Sequence, residues 1–220
     1  MNFEPGHYQS LVFDCDGVVL DSNKVRAQAF YNCALPYGEQ HAVALRNYHI
    51  LHGGVSRYVK FEVLLRDMVG VPVTEEAMQT LLHNFTTEAT RGLLKCEIAP
   101  GLEALRAATP QANWILVSGA DQNELRDVFA QRGIAQWFDG GIFGSPLNKD
   151  EILARELASG NCRRPGIFFG DSRYDHLAAS RAGLDFVFLS QWTDMEGWQT
   201  YCQDSNIPVM HDFCKISCKD

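Results

Sequence analysis

The chain has 220 residues, of which 46% are hydrophobic and 21% charged, the balance of a globular protein able to bury a sizeable core. Lys and Arg total 19 against 27 Asp and Glu, and the resulting net charge of −8 disfavours nucleic acid and anionic membrane surfaces as partners. No apolar run approaches the ~20 residues that span a bilayer, and the first residues lack the basic-then-apolar pattern of a secretion signal, so the expected location is the cytoplasm.

The first apolar run, residues 11–13, stops at Asp14-Cys15-Asp16-Gly17, with Asp21 close behind. Carboxylates that close raise each other's pKa, so the arrangement costs stability unless something binds there. Residues 24–94 then show helical periodicity without a convincing buried strand. Pro72 breaks a helix and Thr74 caps the next, with Glu75 and Glu76 in its first turn. Short apolar runs return at 114–117, 166–169 and 185–189, with a last one at 207–210. The first three, like residues 11–13, do not alternate with polar residues, as expected of strands buried on both faces of a parallel sheet. Helical patterns fill the intervals at 101–108, 121–132, 149–158 and 175–182, Asp121 capping one and Gly133 ending it. The alternation predicts a doubly wound α/β fold: a Rossmann-like core from 1–22 and 95–220, and a helical cap inserted at 23–94.

Ligands of open α/β sheets bind at the carboxyl ends of the strands, and the unusual polar residues fall there. The run at 114–117 stops at Ser118-Gly119, that at 166–169 at Gly170-Asp171-Ser172, with Asp175 beyond; Lys149 opens the helix after "FGSPLN". A lysine at a helix start opposes the macrodipole and asks for an anionic partner. Hard oxygen ligands in small number suit Mg²⁺, which often shares a phosphate oxygen. A carboxylate beside such an ion can attack phosphorus, a second can move the proton, and the lysine and serine can hold the phosphoryl oxygens.

These motifs resemble those of the haloacid dehalogenase superfamily, in its phosphatase branch with a helical cap. "DCDGVVLDS" is similar to the family's DxDGxxxDS signature, Ser118 and Lys149 stand at the second and third motifs, and "GDSRYD" matches GDxxxD. The resemblance implies that Asp14 is the nucleophile and Asp16 the general acid/base, which also lends its backbone carbonyl to Mg²⁺. It implies that Ser118, with Gly119, and Lys149 bind the phosphoryl group, and that Asp171 and Asp175 complete the metal site with Asp14. The expected activity is hydrolysis of a small phosphorylated metabolite, a sugar phosphate or phosphorylated acid, through an aspartyl-phosphate.

Three alternatives stand beside it. "GVSR" at 54–57 resembles a cap motif of β-phosphoglucomutase-type mutases, whose arginine holds a second phosphate, although such mutases carry a histidine where this chain has Arg26. Halide displacement usually lacks the second acid, and a phospho-accepting signalling module carries its reactive Asp on a different strand. In the insertion, Arg57 and Lys60 are candidate substrate-binding residues, with a solvent-facing helix as the other reading of Arg57. Arg26 and Tyr58 are weaker candidates, and His49 and His52 read as ordinary polar surface or turn residues. The seven scattered cysteines make a poor disulfide framework and suit a reducing compartment; Cys214 and Cys218 near His211 read as tail thiols rather than metal ligands.

Overall fold

The computed structural model describes residues 4–53 and 55–214; Gly54 of the expected turn and Cys218 of the tail pair lie outside the described residues. Six strands form one parallel sheet in the order β3-β2-β1-β4-β5-β6. They are β1 (Ser10–Phe13), β2 (Asn113–Asp121), β3 (Ile142–Ser145), β4 (Gly166–Gly170), β5 (Asp185–Leu189) and β6 (Val209–Met210). In this order the chain direction across the sheet reverses between β1 and β4, the topological switch point at which a crevice opens. Asp14 and Asp171 directly follow those two strands.

The strands alternate their side chains between two cores. Leu11, Phe13, Trp114, Leu116, Ile167 and Phe169 face one, while Val12, Ile115, Val117 and Phe168 face the other. Every one of these is fully buried, which explains why neither face left a polar alternation in the sequence. Phe13 anchors the first core, its ring 4.4 Å from Trp114 and 5.2 Å from Phe169.

The helices that complete the core are α5 (Leu102–Ala108), α6 (Gln122–Gln131), α7 (Lys149–Ala158), α8 (Arg173–Ala182) and α9 (Trp198–Asp204). Their starts are written locally. The Asp121 carboxylate accepts from the backbone N–H of Asn123 and Glu124, and Asn148 with Glu151, and Ser172 with Asp175, close capping boxes on α7 and α8. The strand β3 was not expected: it is four residues long, lies in a glycine-rich stretch, and gives too short an apolar signal to read. Gly144 within it admits no side chain, because a Cβ there would stand 2.2 Å from the Ala120 carbonyl oxygen of β2.

Between β1 and β2 come α1 (Asn23–Ala34), α2 (Glu39–Leu51), α3 (Arg57–Val63), a π-helical turn at Leu64–Val69, and α4 (Glu75–Leu93). This is the inserted helical cap. Thr74 caps α4, accepting from Ala77 N–H at 3.2 Å. Phe30, Phe61 and Phe85 pack together as the cap's own apolar centre. The two chain segments joining cap to core run side by side: Asp21 N–H donates to Glu97 O, and Ala99 N–H donates to Val19 O. Among the described residues no helix is long and apolar enough to cross a membrane.

Candidate active site

The turn that follows β1 brings its carboxylates to the crevice. Gly17 adopts φ +80°, and a Cβ on it would lie 2.2 Å from Asp171 Oδ2, so only glycine lets this turn pass the end of β4. Asp14, Asp171 and Asp175, all buried, each offer a carboxylate oxygen within 4.8 Å of the others. Lys149 Nζ reaches into the cluster, 2.7 Å from Asp14 Oδ1 and in contact with Asp175. The anionic partner that its helix-start position called for is therefore this pair. Asn23 Nδ2 donates to Asp171 Oδ2 at 3.1 Å and to the Trp192 carbonyl at 2.9 Å, fixing the Asp171 carboxylate from the cap side.

Ionised, three carboxylates and one ammonium leave two net negative charges in a buried space. Burial, with the Asp175 and Asp16 charges and against the pull of Lys149, pushes the Asp14 carboxyl up to about 7. Burial and the Asp14 and Asp175 charges push Asp171 well above the carboxylate range too. Burial alone would lower Lys149, but its two carboxylate partners outweigh that and raise it, so it stays an ammonium. A buried oxygen cluster with that surplus of negative charge fits a small divalent cation, which would remove the surplus.

Asp16 stands apart. Its carboxylate accepts from Ser22 Oγ and from Arg26 Nε, the latter at 3.0 Å. Burial raises its pKa, but the Arg26 charge and these two hydrogen bonds reverse the sign and hold it below the usual range. Ser118 is fully buried, its Oγ accepting from Ala120 N–H at 3.1 Å, and Gly119 is tied to β3 through its carbonyl, which accepts from Ser145 Oγ at 2.6 Å. Asp14, Asp16, Ser118, Gly119 and Asp171 all line one cavity of about 520 Å³.

The cap supplies the opposite wall. Arg57 does not face solvent: it is buried, donates to Thr86 Oγ1 at 2.9 Å, and pairs with Glu124 Oε2 at 2.8 Å. Arg26 binds the other oxygen of the same Glu124, so one carboxylate on the core helix α6 holds two cap arginines, one of which also holds Asp16. All three side chains are at most 4% exposed. Sequence reasoning missed Glu124, whose position on α6 follows a capping Asp like many first-turn acids, and it underrated Arg26. His49 is a correction. Instead of an ordinary surface position it occupies the cavity wall, its Nδ1 2.8 Å from Lys60 Nζ and its ring against Phe30. Only the partner, Lys60, was singled out beforehand. Tyr58 lies at the cap edge, its hydroxyl donating to Asp121 Oδ2 at 3.2 Å.

The model of the haloacid dehalogenase-like hydrolases matches residues 8–183, a span holding Asp14, Asp16, Ser118, Lys149, Asp171 and Asp175. The chain belongs to that family. No curated protein matches it significantly. Solved structures similar to this haloacid dehalogenase-like hydrolase include one described as a predicted phosphoglycolate phosphatase from Haemophilus somnus, 18% identical over 96% of each chain with a TM-score of 0.71. Another is a family IA, variant 3 hydrolase of Entamoeba histolytica, 14% identical over 96% of each chain with a TM-score of 0.75. A third is a β-phosphoglucomutase of Clostridium difficile, 18% identical over 95% of this chain and 93% of that one, at 0.71. At such identities the likeness shows the shared fold.

Proposed function

We propose that the protein is a Mg²⁺-dependent phosphatase that hydrolyses a small phosphomonoester through an aspartyl-phosphate on Asp14. The observation that carries this is Lys149 Nζ set 2.7 Å from Asp14 and beside Asp175, with Asp171 completing the buried cluster at the cavity floor. Asp14, Asp171, the backbone carbonyl of Asp16 and, directly or through water, Asp175 would hold the ion, which when bound neutralises the cluster and draws charge from the phosphoryl oxygens. An Asp14 oxygen attacks phosphorus as the ester P–O bond breaks, and the departing alkoxide takes a proton from Asp16. Lys149 and Ser118 hold the phosphoryl oxygens, whose charge grows in the transition state. Asp16 then removes a proton from the water that attacks phosphorus and frees Asp14. The ionised Asp16 held by Arg26 and Ser22 suits this second role; to act as acid it must leave Arg26 and take up a proton. The cap, closing over a cavity of about 520 Å³, keeps other water out.

The mutase reading is the runner-up, supported by the fold shared with a β-phosphoglucomutase. It needs Arg57 free to hold a second phosphate, whereas here Glu124 neutralises that guanidinium; this favours hydrolysis. Purified protein with Mg²⁺ should turn over p-nitrophenyl phosphate repeatedly, releasing orthophosphate, and Asp14→Asn should abolish it. Metal-independent turnover, or turnover surviving Asp14→Asn, would refute the proposal. An isomerised sugar phosphate would favour the mutase, and a single labelling event the signalling module.

A further inference from the structure

The cap residues lining the cavity include three basic side chains, Arg26, Arg57 and Lys60, and two histidines, His49 and the exposed His52. Two of the three basic groups are already answered. Arg26 and Arg57 are matched in charge by Asp16 and Glu124. Lys60 is not. It is 2% exposed, yet among the described residues no carboxylate stands within ion-pair distance of its Nζ. Its contacts are the Phe30 ring, 5.3 Å away, and His49 Nδ1 at 2.8 Å. Burial, against the attraction of the more distant Asp16 charge, pushes the Lys60 pKa down to about 7, so its ammonium form is costly to hold without an anion to meet it.

His49 sharpens the assignment. When Lys60 is an ammonium, His49 Nδ1 accepts from it and the ring carries its proton on Nε2, a second donor at the same wall with no hydrogen-bond partner among the described residues. Burial and the Lys60 charge hold this imidazole pKa well below its ordinary value, so it remains neutral. With Lys60 protonated the wall offers one positive charge and two kinds of N–H donor, the complement of a monoanion with two oxygens, and such an anion would hold the Lys60 proton in place. A phosphate dianion would exceed that single charge. We infer that Lys60 and His49 form a subsite for a carboxylate of the substrate, so that the preferred substrates are phosphomonoesters bearing one carboxylate, of the phosphorylated sugar-acid class.

This rests on the phosphatase reading, and the two are separable by experiment. Two pairs of substrates that differ only in carboxylate against alcohol are used with Mg²⁺: 3-phosphoglycerate with glycerol 3-phosphate, and 6-phosphogluconate with glucitol 6-phosphate. In at least one pair the wild-type protein should prefer the acid by at least about tenfold in kcat/KM, the value of one charge-assisted hydrogen bond. Lys60→Gln should shrink that preference to about twofold or less, mainly through KM, and His49→Phe, which keeps the ring packing, should reduce it in part. Equal use of acid and alcohol, an unchanged preference in folded Lys60→Gln and His49→Phe, or a stronger preference for fructose 1,6-bisphosphate than for either acid would overturn the subsite. Failure to hydrolyse p-nitrophenyl phosphate, by contrast, would overturn the phosphatase reading beneath it.

Discussion

Replacing Glu124 with Gln tests the bridge between cap and core. The substitution keeps the shape of the side chain and removes its charge. Arg26 and Arg57, each 4% exposed, then share one amide, and the group formed with Asp16 changes from neutral to one net positive charge. Removing one partner of a buried ion pair costs about 3–5 kcal/mol, because the remaining charge has lost its compensation without regaining water. If the cap stays docked, the loss appears in global stability, which for a chain this size is a fall of roughly 6–20 °C in Tm. If the cap lifts instead, water rehydrates both guanidiniums and the loss moves to kcat/KM. Urea unfolding and phosphate release on the same preparations divide the two, and a double-mutant cycle with Arg57→Met isolates the pair. The coupling should be at least about 1.5 kcal/mol, as for close buried charges at interfaces. Coupling below about 0.5 kcal/mol, with stability and turnover both unchanged in Glu124→Gln, would refute the reasoning.

Lys149→Met preserves packing over Phe168 while leaving three clustered carboxylates without their ammonium. Turnover should fall by at least about a thousandfold, and metal-free stability at pH 7.5 by about 3–5 kcal/mol; urea melts should show it recovered by acid or by Mg²⁺, and a wild-type pH profile would count against the charge argument. Asp14 carries a pKa raised from 3.8 to about 7, so the folded state binds the extra proton between those values. Its contribution to metal-free stability is complete below about pH 4 and is lost as pH rises through about 7. Mg²⁺ must displace that proton and the one burial favours on Asp171, so calorimetry should find its affinity rising at least about tenfold per unit from pH 5.5 to 6.5; a flat profile would show that neither carboxyl is protonated there.

Much of this was readable from residues close together in the chain. The DxD turn, its glycine, the Asp121 cap and the lysine at the start of α7 are all local patterns, and the plain alternation of helices and strands sets them at the same edge of the sheet. What escaped notice depends on partners far apart. Glu124 is one acid among several on an amphipathic helix until the fold sets it against Arg26, 98 residues away. His49 sits on a different cap helix from Lys60, the candidate beside it, and only their packing around Phe30 brings this commonplace histidine to the cavity wall. Asn23, a helix-start residue by sequence, proves to brace Asp171 from 148 positions away. β3 left no trace because four residues with a glycine among them carry too little apolar pattern to count.

The paired segments around Val19–Ala99 and Asp21–Glu97 have a use beyond this molecule. Entry and exit of the insertion lie one backbone hydrogen bond apart, so the sheet beneath needs no particular tenant between them. Cutting there and grafting a different helical module would keep Asp14, Lys149 and Asp171 on the sheet and exchange what chooses the guest, provided the graft supplies stand-ins for Asn23 and Arg26, which hold Asp171 and Asp16, and a partner for Glu124. For protein engineers it is a ready-made splice point.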